Sequence, residues 1–223
     1  MQAIFWITIF SLFYIYIGYP IMIWLLALCS AQHLRKHAIQ AKVSVVIVAY
    51  NEADVLPRKI DSILNSDGAS RIKEILIASD GSTDATQTIV GNASDPRVRL
   101  LAFSERRGKP SVLNDAIASC TSDIVVLTDA RQELNPAAIN ELVANFADES
   151  VGVVSGELIF RQPEGHTTAA HGLDIYWTYE KFIRKNEAHF RSVPGATGAL
   201  YAIRRHLFRP IHALTLLDDV VIP

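Results

Sequence analysis

Three short, almost wholly apolar runs, residues 43–50, 74–78 and 124–128, each lead straight into an acidic cluster. No other feature of the chain restricts its fold as much. A strand with one wet face alternates apolar and polar residues, whereas a strand covered on both faces does not. These runs therefore read as buried strands of a parallel sheet. The clusters are Asn51-Glu52 after VSVVIVAY, Asp80 in SDGSTD and Asp129 in LTDA, and a fourth, Asp218-Asp219, lies near the end of the chain. In an open α/β sheet, ligands sit just beyond the carboxyl ends of the strands. Three acidic sites then converge on one crevice edge, which suits a metal, a polyphosphate and a ribose better than it suits packing.

Helical segments separate the strands. The pattern predicts strands at 43–49, 74–79, 98–103 and 124–128, followed by helices near 54–65, 84–92, 110–119 and 136–146. Ser82 or Thr83 is placed to cap the second helix, and Pro110 and Pro136 to open the third and fourth. Such alternation predicts an α/β fold, a Rossmann-like, mainly parallel sheet with helices on both faces. After residue 150 the pattern changes. A longer strand is expected over 151–160, bulged at Gly152 and Gly156. A helix over 173–190, a loop of small residues over 192–198, a short strand over 199–203 and a helical turn over 204–208 follow.

The first thirty residues are of another kind. From Ile4 to Cys29 no residue is charged, a run of 26 positions. As a helix rising ~1.5 Å per residue it reaches about 39 Å, more than the ~30 Å hydrocarbon core of a bilayer, with tilt or a kink at Gly18 and Pro20 absorbing the excess. A cleaved signal peptide is disfavoured, because no basic stretch precedes the run and it exceeds the ~7–15 residues of a signal's apolar core. The expected organisation is a transmembrane anchor over 1–30, a polar juxtamembrane linker over 31–42 and a catalytic domain over 43–223. Arg35, Lys36 and Lys42 follow the helix, so the positive-inside rule puts the N-terminus outside and the domain in the cytoplasm. A net charge of −2 over 223 residues lacks the basic footprint of a nucleic-acid binder. Cys29 and Cys120 are too widely separated to suggest a disulfide framework or a metal knuckle.

Each polar motif has a plainer explanation when taken alone. Asn51 or Asp54 would serve as a helix cap, although a polar tripeptide Tyr50-Asn51-Glu52 at a strand end also suits a base and a ribose. Asp80-Gly81-Ser82-Thr83-Asp84 is a capped turn, but Gly81 permits close approach of the backbone to a ligand, and the helix that follows favours anions. Arg106-Arg107-Gly108-Lys109, with Asn114 after it, is either a solvated charge run or a diphosphate-binding loop. The single carboxylate of Thr128-Asp129-Ala130 suits a hard divalent cation that also takes phosphate oxygens. His166, His171 and His189 have no metal-ligand spacing. Trp177, Tyr179 and Glu180 favour core packing over sugar stacking.

In this order, VSVVIVAYNE, SDGSTD, RRGKPSVLNDAI, LTDA, VPGATGALYAIRR and LLDDV resemble the family 2 glycosyltransferases. The likeness is greatest to the membrane-bound branch of cellulose, chitin and poly-N-acetylglucosamine synthases, and it covers 43–223. It implies a GT-A fold and an inverting, metal-dependent enzyme that uses Mg²⁺ or Mn²⁺. The implied substrates are a nucleotide-diphospho-sugar, UDP-linked by family precedent, and a polysaccharide or lipid-linked acceptor at a membrane. It also implies roles for residues. Tyr50 and Glu52 lie at the nucleoside, and Asp80, with Gly81 beside it, at the uracil or ribose. Lys109 lies near the ribose or diphosphate. Asp129 is the first aspartate of the D-x-D motif and the metal ligand, and Asp219 is the general base. On the acceptor side stand Asp218, Gly195, Thr197 and Gly198.

Two departures from the pattern stand out. Arg131 replaces the second aspartate of D-x-D, which leaves the metal to Asp129 and phosphate oxygens and offers a bidentate donor to the diphosphate. The chain also stops at Pro223, where members of that branch continue with more sheet and further membrane helices, so a C-terminally truncated domain is expected. Three other functions fit the sequence less well. A sugar-nucleotide pyrophosphorylase would carry a Gly- and Arg-rich loop where Tyr50-Asn51-Glu52 stands, and a dinucleotide-dependent oxidoreductase would carry G-x-G-x-x-G there. A non-catalytic membrane scaffold that binds nucleotide sugar without turnover is opposed by Asp80, Asp129 and Asp219 and favoured by Arg131 and the short C-terminus.

Overall fold

The computed structural model describes residues 1–30, 34–159 and 168–223. In chain order it begins with α1 (Gln2–Phe13), α2 (Tyr19–Cys29), β1 (Val43–Ala49), α3 (Leu56–Leu64), β2 (Ile72–Asp80), α4 (Thr86–Gly91) and β3 (Val98–Phe103). It continues with α5 (Lys109–Ala118), β4 (Ile124–Thr128), α6 (Ala138–Ala144), β5 (Val153–Ser155), α7 (Thr168–Phe190), β6 (Leu200–Arg204) and α8 (Asp218–Val221). These elements form two units, one of Met1–Leu34 with Ile159–Pro194, the other of Arg35–Leu158 with Gly195–Pro223.

The second unit is built on a six-stranded sheet in the order β3-β2-β1-β4-β6-β5. Strand β1 runs parallel to both neighbours, with Ala49 opposite Ser79 and Val46 opposite Leu127, and β2 runs parallel to β3. Strand β6 is antiparallel to β4 and to β5, so the sheet is mixed. Side chains alternate across a strand. Val43, Val45 and Ile47 of β1 pack with Leu56, Ile60 and Ile63 of α3 and with Ile139, Leu142 and Val143 of α6. Val46 joins Val112, Leu113, Ala116 and Ile117 of α5 on the other face. Two covered faces explain why these runs carry no polar alternation.

The boundaries differ from expectation in instructive ways. Helix α6 begins at Ala138, two residues after Pro136, because Asn135 receives the N–H groups of Ala137 on its side chain at 3.0 Å and of Ala138 on its carbonyl at 2.9 Å. Strand β5 spans three residues, and Phe160 lies outside the described residues. Glycines flank β5, and Gly156 approaches β6 so closely that a Cβ there would stand 2.7 Å from the Leu200 carbonyl.

At the amino edge of the sheet a buried carboxylate joins four segments. Glu74, 3% exposed, accepts hydrogen bonds from Ser44 Oγ at 2.7 Å and from the Thr121 N–H and hydroxyl at 2.7 and 2.8 Å, and pairs with the Arg99 guanidinium. Burial alone would raise its pKa, but the donors from Ser44, Thr121 and Arg99 together bring it down from 4.5 to about 2.

In the first unit, the 28 residues Gln2–Cys29 form one apolar helical stretch, long and apolar enough to cross a membrane. A π turn, Tyr14–Gly18, interrupts it just before Pro20. Proline has no N–H and cannot serve the Tyr16 carbonyl one turn back. The Tyr179 hydroxyl of α7 donates to that carbonyl at 2.9 Å, and the Tyr19 hydroxyl donates to Glu187. Pro20, Ile23 and Ala27, spaced at i, i+3 and i+7, are the buried residues of α2.

Glu74 yields a pH prediction. Its folded pKa is depressed, so its stabilisation is present above pH 4.5 and is lost as pH falls toward 2. At neutral pH, Glu74→Gln should destabilise the fold by about 3 kcal/mol, with the gap to wild type closing between pH 4.5 and 2. Paired denaturant titrations across that range check it, and a gap independent of pH would contradict it.

Candidate functional site

Strands β2, β1 and β4 are adjacent and parallel, so their carboxyl ends share one edge. The strand order reverses between β1 and β4, which is where open α/β sheets bind ligands. The loop after β1 is tied to the loop after β2. Asn51 has a positive φ of 55°, and its side-chain oxygen accepts the Thr83 N–H at 2.8 Å. The N–H groups of Asn51, Glu52 and Ala53 donate to Ser82 Oγ, Thr86 Oγ1 and Asp84 Oδ2 at 3.1, 2.9 and 3.1 Å. Neither Ser82 nor Thr83 caps α4. That helix starts later, at Thr86, and the hydroxyls serve the first loop, whose amides have no strand to pair with.

Asp80, the last residue of β2, is 4% exposed. Its two oxygens accept the N–H groups of Arg107 at 2.6 Å and Gly108 at 2.9 Å, so it shapes the basic loop from below. Gly81 makes this possible, for its φ is +67° and a Cβ would stand 2.6 Å from the Arg106 nitrogen. The Arg106 guanidinium stacks 4.1 Å over the Tyr50 ring, and Arg107 pairs with Asp115 at 2.6 Å. Gly108, φ +86°, turns the chain into α5, whose first residue is Lys109 and second is Pro110. The Lys109 ammonium lies 3.4 Å from Asp129 Oδ1 and 3.2 Å from Asp218 Oδ2. Burial opposes its charge, but the two carboxylates outweigh burial and raise its pKa.

Asp129 follows β4 on a turn braced by a residue that sequence reasoning missed. Lys59, 4% exposed, donates to Thr128 Oγ1 at 2.9 Å and to the Gln132 carbonyl at 2.6 Å, spanning the turn. The Thr128 hydroxyl in turn donates to the Ala199 carbonyl at 2.9 Å. The signal was in the helix pattern, where Lys59 occupies a core position of the stripe Leu56, Lys59, Ile60, Ile63. Arg131 points its Nε at both oxygens of Glu52, at 2.9 and 3.0 Å.

Asp219 is held from the loop before β6. Its Oδ2 accepts the Gly198 N–H at 3.1 Å, and its carbonyl accepts the Ala196 N–H at 2.7 Å. A Cβ on Gly198 would meet Asp219 Oδ2 at 2.8 Å, and one on Gly195 would meet Val220 at 3.2 Å, so these glycines make room for the α8 segment. Thr197 donates its N–H to Ser155 Oγ at 2.9 Å. Asn114 is tied to the backbone of Ile211 by two hydrogen bonds. His189 is exposed, while His166 lies outside the described residues. Among the described residues no three His, Cys, Asp or Glu side chains gather as a metal cage. One half-exposed carboxylate, Asp129, beside a cation fits instead a divalent ion that completes its shell with phosphate oxygens and water.

Burial lowers the Lys59 pKa from 10.5 to about 8, against the opposing pull of Asp129. The unfolded chain therefore holds a proton between pH 8 and 10.5 that the folded protein has released. Wild type should gain about 3 kcal/mol of stability relative to Lys59→Met across that window. Denaturation at pH 7.5 and 10 reads the difference, and parallel behaviour of the two proteins would refute it.

Comparison with known proteins adds the following. The family model "Glycosyl transferase family 2" matches residues 44–211. The succinoglycan biosynthesis protein ExoO of Rhizobium meliloti is 31% identical over 120 residues, 51% of this chain and 34% of that protein. The undecaprenyl-phosphate 4-deoxy-4-formamido-L-arabinose transferase of Salmonella choleraesuis is 32% identical over 117 residues, 51% of this chain and 36% of that protein. This chain thus spans about a third of the length of these relatives. Among solved structures, a mannosyltransferase from Pyrobaculum calidifontis in complex with GDP-Man and Mn²⁺ superposes with a TM-score of 0.72 at 25% identity, over 95% of this chain and 60% of that one. The sheet order, the carboxyl-edge crevice and the family match agree, and the chain belongs to glycosyl transferase family 2.

Proposed function

We propose that the carboxyl-edge crevice transfers a sugar, with inversion, from a nucleotide-diphospho-sugar to a hydroxyl of a polysaccharide or lipid-linked acceptor at the cytoplasmic face of a membrane. The observation that carries this reading is the Lys109 ammonium between Asp129 and Asp218 at the switch point of the sheet. Alternating charge at that spot suits a diphosphate with its metal. The relatives named for succinoglycan biosynthesis and for an undecaprenyl-phosphate transferase support the acceptor class, and the neighbour holding GDP-Man and Mn²⁺ supports the donor class. UDP-linked donors come first on the family likeness.

In this reading Tyr50, with Arg106 stacked on it, and Glu52 receive the nucleoside, while Asp80 and Gly81 set the basic loop that faces it. Lys109 and Arg131 face the diphosphate. The acceptor oxygen attacks the anomeric carbon as the carbon–oxygen bond to the diphosphate breaks and its electron pair leaves with the diphosphate. Asp219, fixed through Gly198, takes the acceptor's proton. Lys109 offsets charge growing on the leaving group. Asp218, Gly195, Thr197 and Gly198 border the acceptor side. A Mg²⁺ or Mn²⁺ ion on Asp129 would supply further neutralisation of the departing diphosphate.

Two measurements test the proposal. Detergent-solubilised protein given UDP- and GDP-sugars should release nucleoside diphosphate. Asp219→Asn should lower that rate by roughly 10²–10⁴-fold, and Asp129→Asn or excess chelator should abolish it. Donor binding without any turnover would favour a scaffold that retains the fold. The anchor over 1–30 with the domain cytoplasmic predicts that protease added to inside-out vesicles digests residues 43–223, whereas full protection would reverse the orientation.

A further inference from the structure

Helix α7 packs on the apolar N-terminal helix, and its polar contacts there are those a lipid environment requires. Pro20 leaves the Tyr16 carbonyl without its helical donor. In water such a carbonyl is solvated, whereas in a bilayer it must find a donor inside the protein. The Tyr179 hydroxyl of α7 supplies one at 2.9 Å. One turn on, the Tyr19 hydroxyl donates to Glu187, a buried carboxylate of the same helix. The remaining surface of α2 stays apolar and open, with Ile21, Leu25 and Leu28 all exposed. A contiguous apolar surface of that kind marks contact with lipid or with another protein.

The length of the helix sets the depth of these contacts. Its 28 residues extend about 42 Å at ~1.5 Å per residue, some 12 Å more than the ~30 Å hydrocarbon core. Nothing among the described residues buries α1, so α1 takes the core and the surplus falls on α2. Helix α7 agrees, since it carries Lys181, Arg184, Lys185 and Glu187, and such charges are costly at a bilayer centre. The edge of the core therefore runs near the Tyr19–Glu187 pair, with α2 and α7 side by side in the headgroup layer. On α7, Tyr179 and Glu187 share the face that meets α2. At about 100° per residue, Tyr176 and Phe182 flank that face, 56% and 43% exposed, and Lys185, also exposed, falls almost opposite it.

We propose that α7 is an interfacial helix that rests on the bilayer, with the Tyr176 and Phe182 rings among the upper acyl chains and Lys185 among the lipid phosphates. The inference rests on reading Gln2–Cys29 as the membrane anchor. Its partner is a phospholipid surface rather than a protein. Aromatic rings beside the α2 seam and an ammonium group away from it match the change from apolar to anionic across the outer layer of a membrane. Residues 168–190, far from the anchor in the chain, thereby become part of the membrane attachment.

The test is nitroxide labelling of the full chain in vesicles of phosphatidylcholine and phosphatidylglycerol. Cys29→Ser removes the exposed thiol, and the buried Cys120 is kept. Single labels go on Tyr176→Cys, Phe182→Cys and Lys185→Cys in α7, on Phe10→Cys in α1, and on Ser94→Cys, an exposed position of the second unit. Collision with oxygen reads lipid exposure, and collision with a water-soluble nickel chelate reads water exposure. The labels at Tyr176 and Phe182 should meet oxygen readily and nickel poorly, at ~5–10 Å below the phosphates, while those at Lys185 and Ser94 meet nickel freely. Tyr176 gives a second reading should Phe182→Cys unfold the chain. Nickel access at Tyr176 and Phe182 equal to that at Ser94, with Phe10 still in lipid, overturns the proposal by placing α7 in water. Labels shielded from both reagents overturn it too, because a protein surface then covers the face. Nickel access at Phe10 fails the anchor reading itself and the proposal with it, a result distinct from either.

Discussion

The parallel pairing of β1 with both β2 and β4 is the constraint on which the rest depends. It places Tyr50, Asp80 and Asp129, far apart in the chain, on one edge of the sheet. Parallel strands require crossovers, and the helices that supply them cover both faces and make the strands apolar throughout. The same geometry leaves the carboxyl edge as the place where polar loops can meet without burying unpaired backbone.

Gathering acidic residues at one edge creates repulsion that the fold relieves with specific cations and amides. Asp80 is answered by two backbone N–H groups, Glu52 by Arg131, and Asp129 with Asp218 by Lys109. Beneath them, buried Lys59 ties the two ends of the Asp129 turn. Exposed pairs of this kind add little to stability. Their worth lies in holding side chains at fixed positions where a charged ligand can exchange for one partner, which is the preorganisation that group transfer requires. The glycines act in the same direction. Gly81 lets the basic loop approach Asp80, and Gly198 lets Asp219 approach the backbone.

Much of this was legible in the sequence. The apolar runs located β1, β2 and β4 because burial on both faces leaves a composition signal that does not depend on distant partners. Pro110 marked the start of α5 for a local reason, its fixed φ. What the sequence did not disclose was set by long-range pairing. Ser82 and Thr83 look like caps, yet serve a loop 30 residues earlier because α4 starts beyond them. The expected strand over 151–160 shortens to three residues at β5, where the glycines give close approach to β6 rather than ladder length. Lys59 was visible as a lysine in an apolar stripe, but its partners Thr128 and Gln132 were not.

Everything proposed for this crevice requires that nucleotide sugar bind at the carboxyl edge of β1, β2 and β4. Photolabelling with an azido-nucleotide-diphospho-sugar in the presence of Mn²⁺, followed by peptide mapping, tests it most directly. Label is expected on the peptides that carry Tyr50–Glu52 and Asp80–Gly81, displaced by excess nucleoside diphosphate. Label confined to the first thirty residues or to α7, or label that nucleoside diphosphate does not displace, would contradict it.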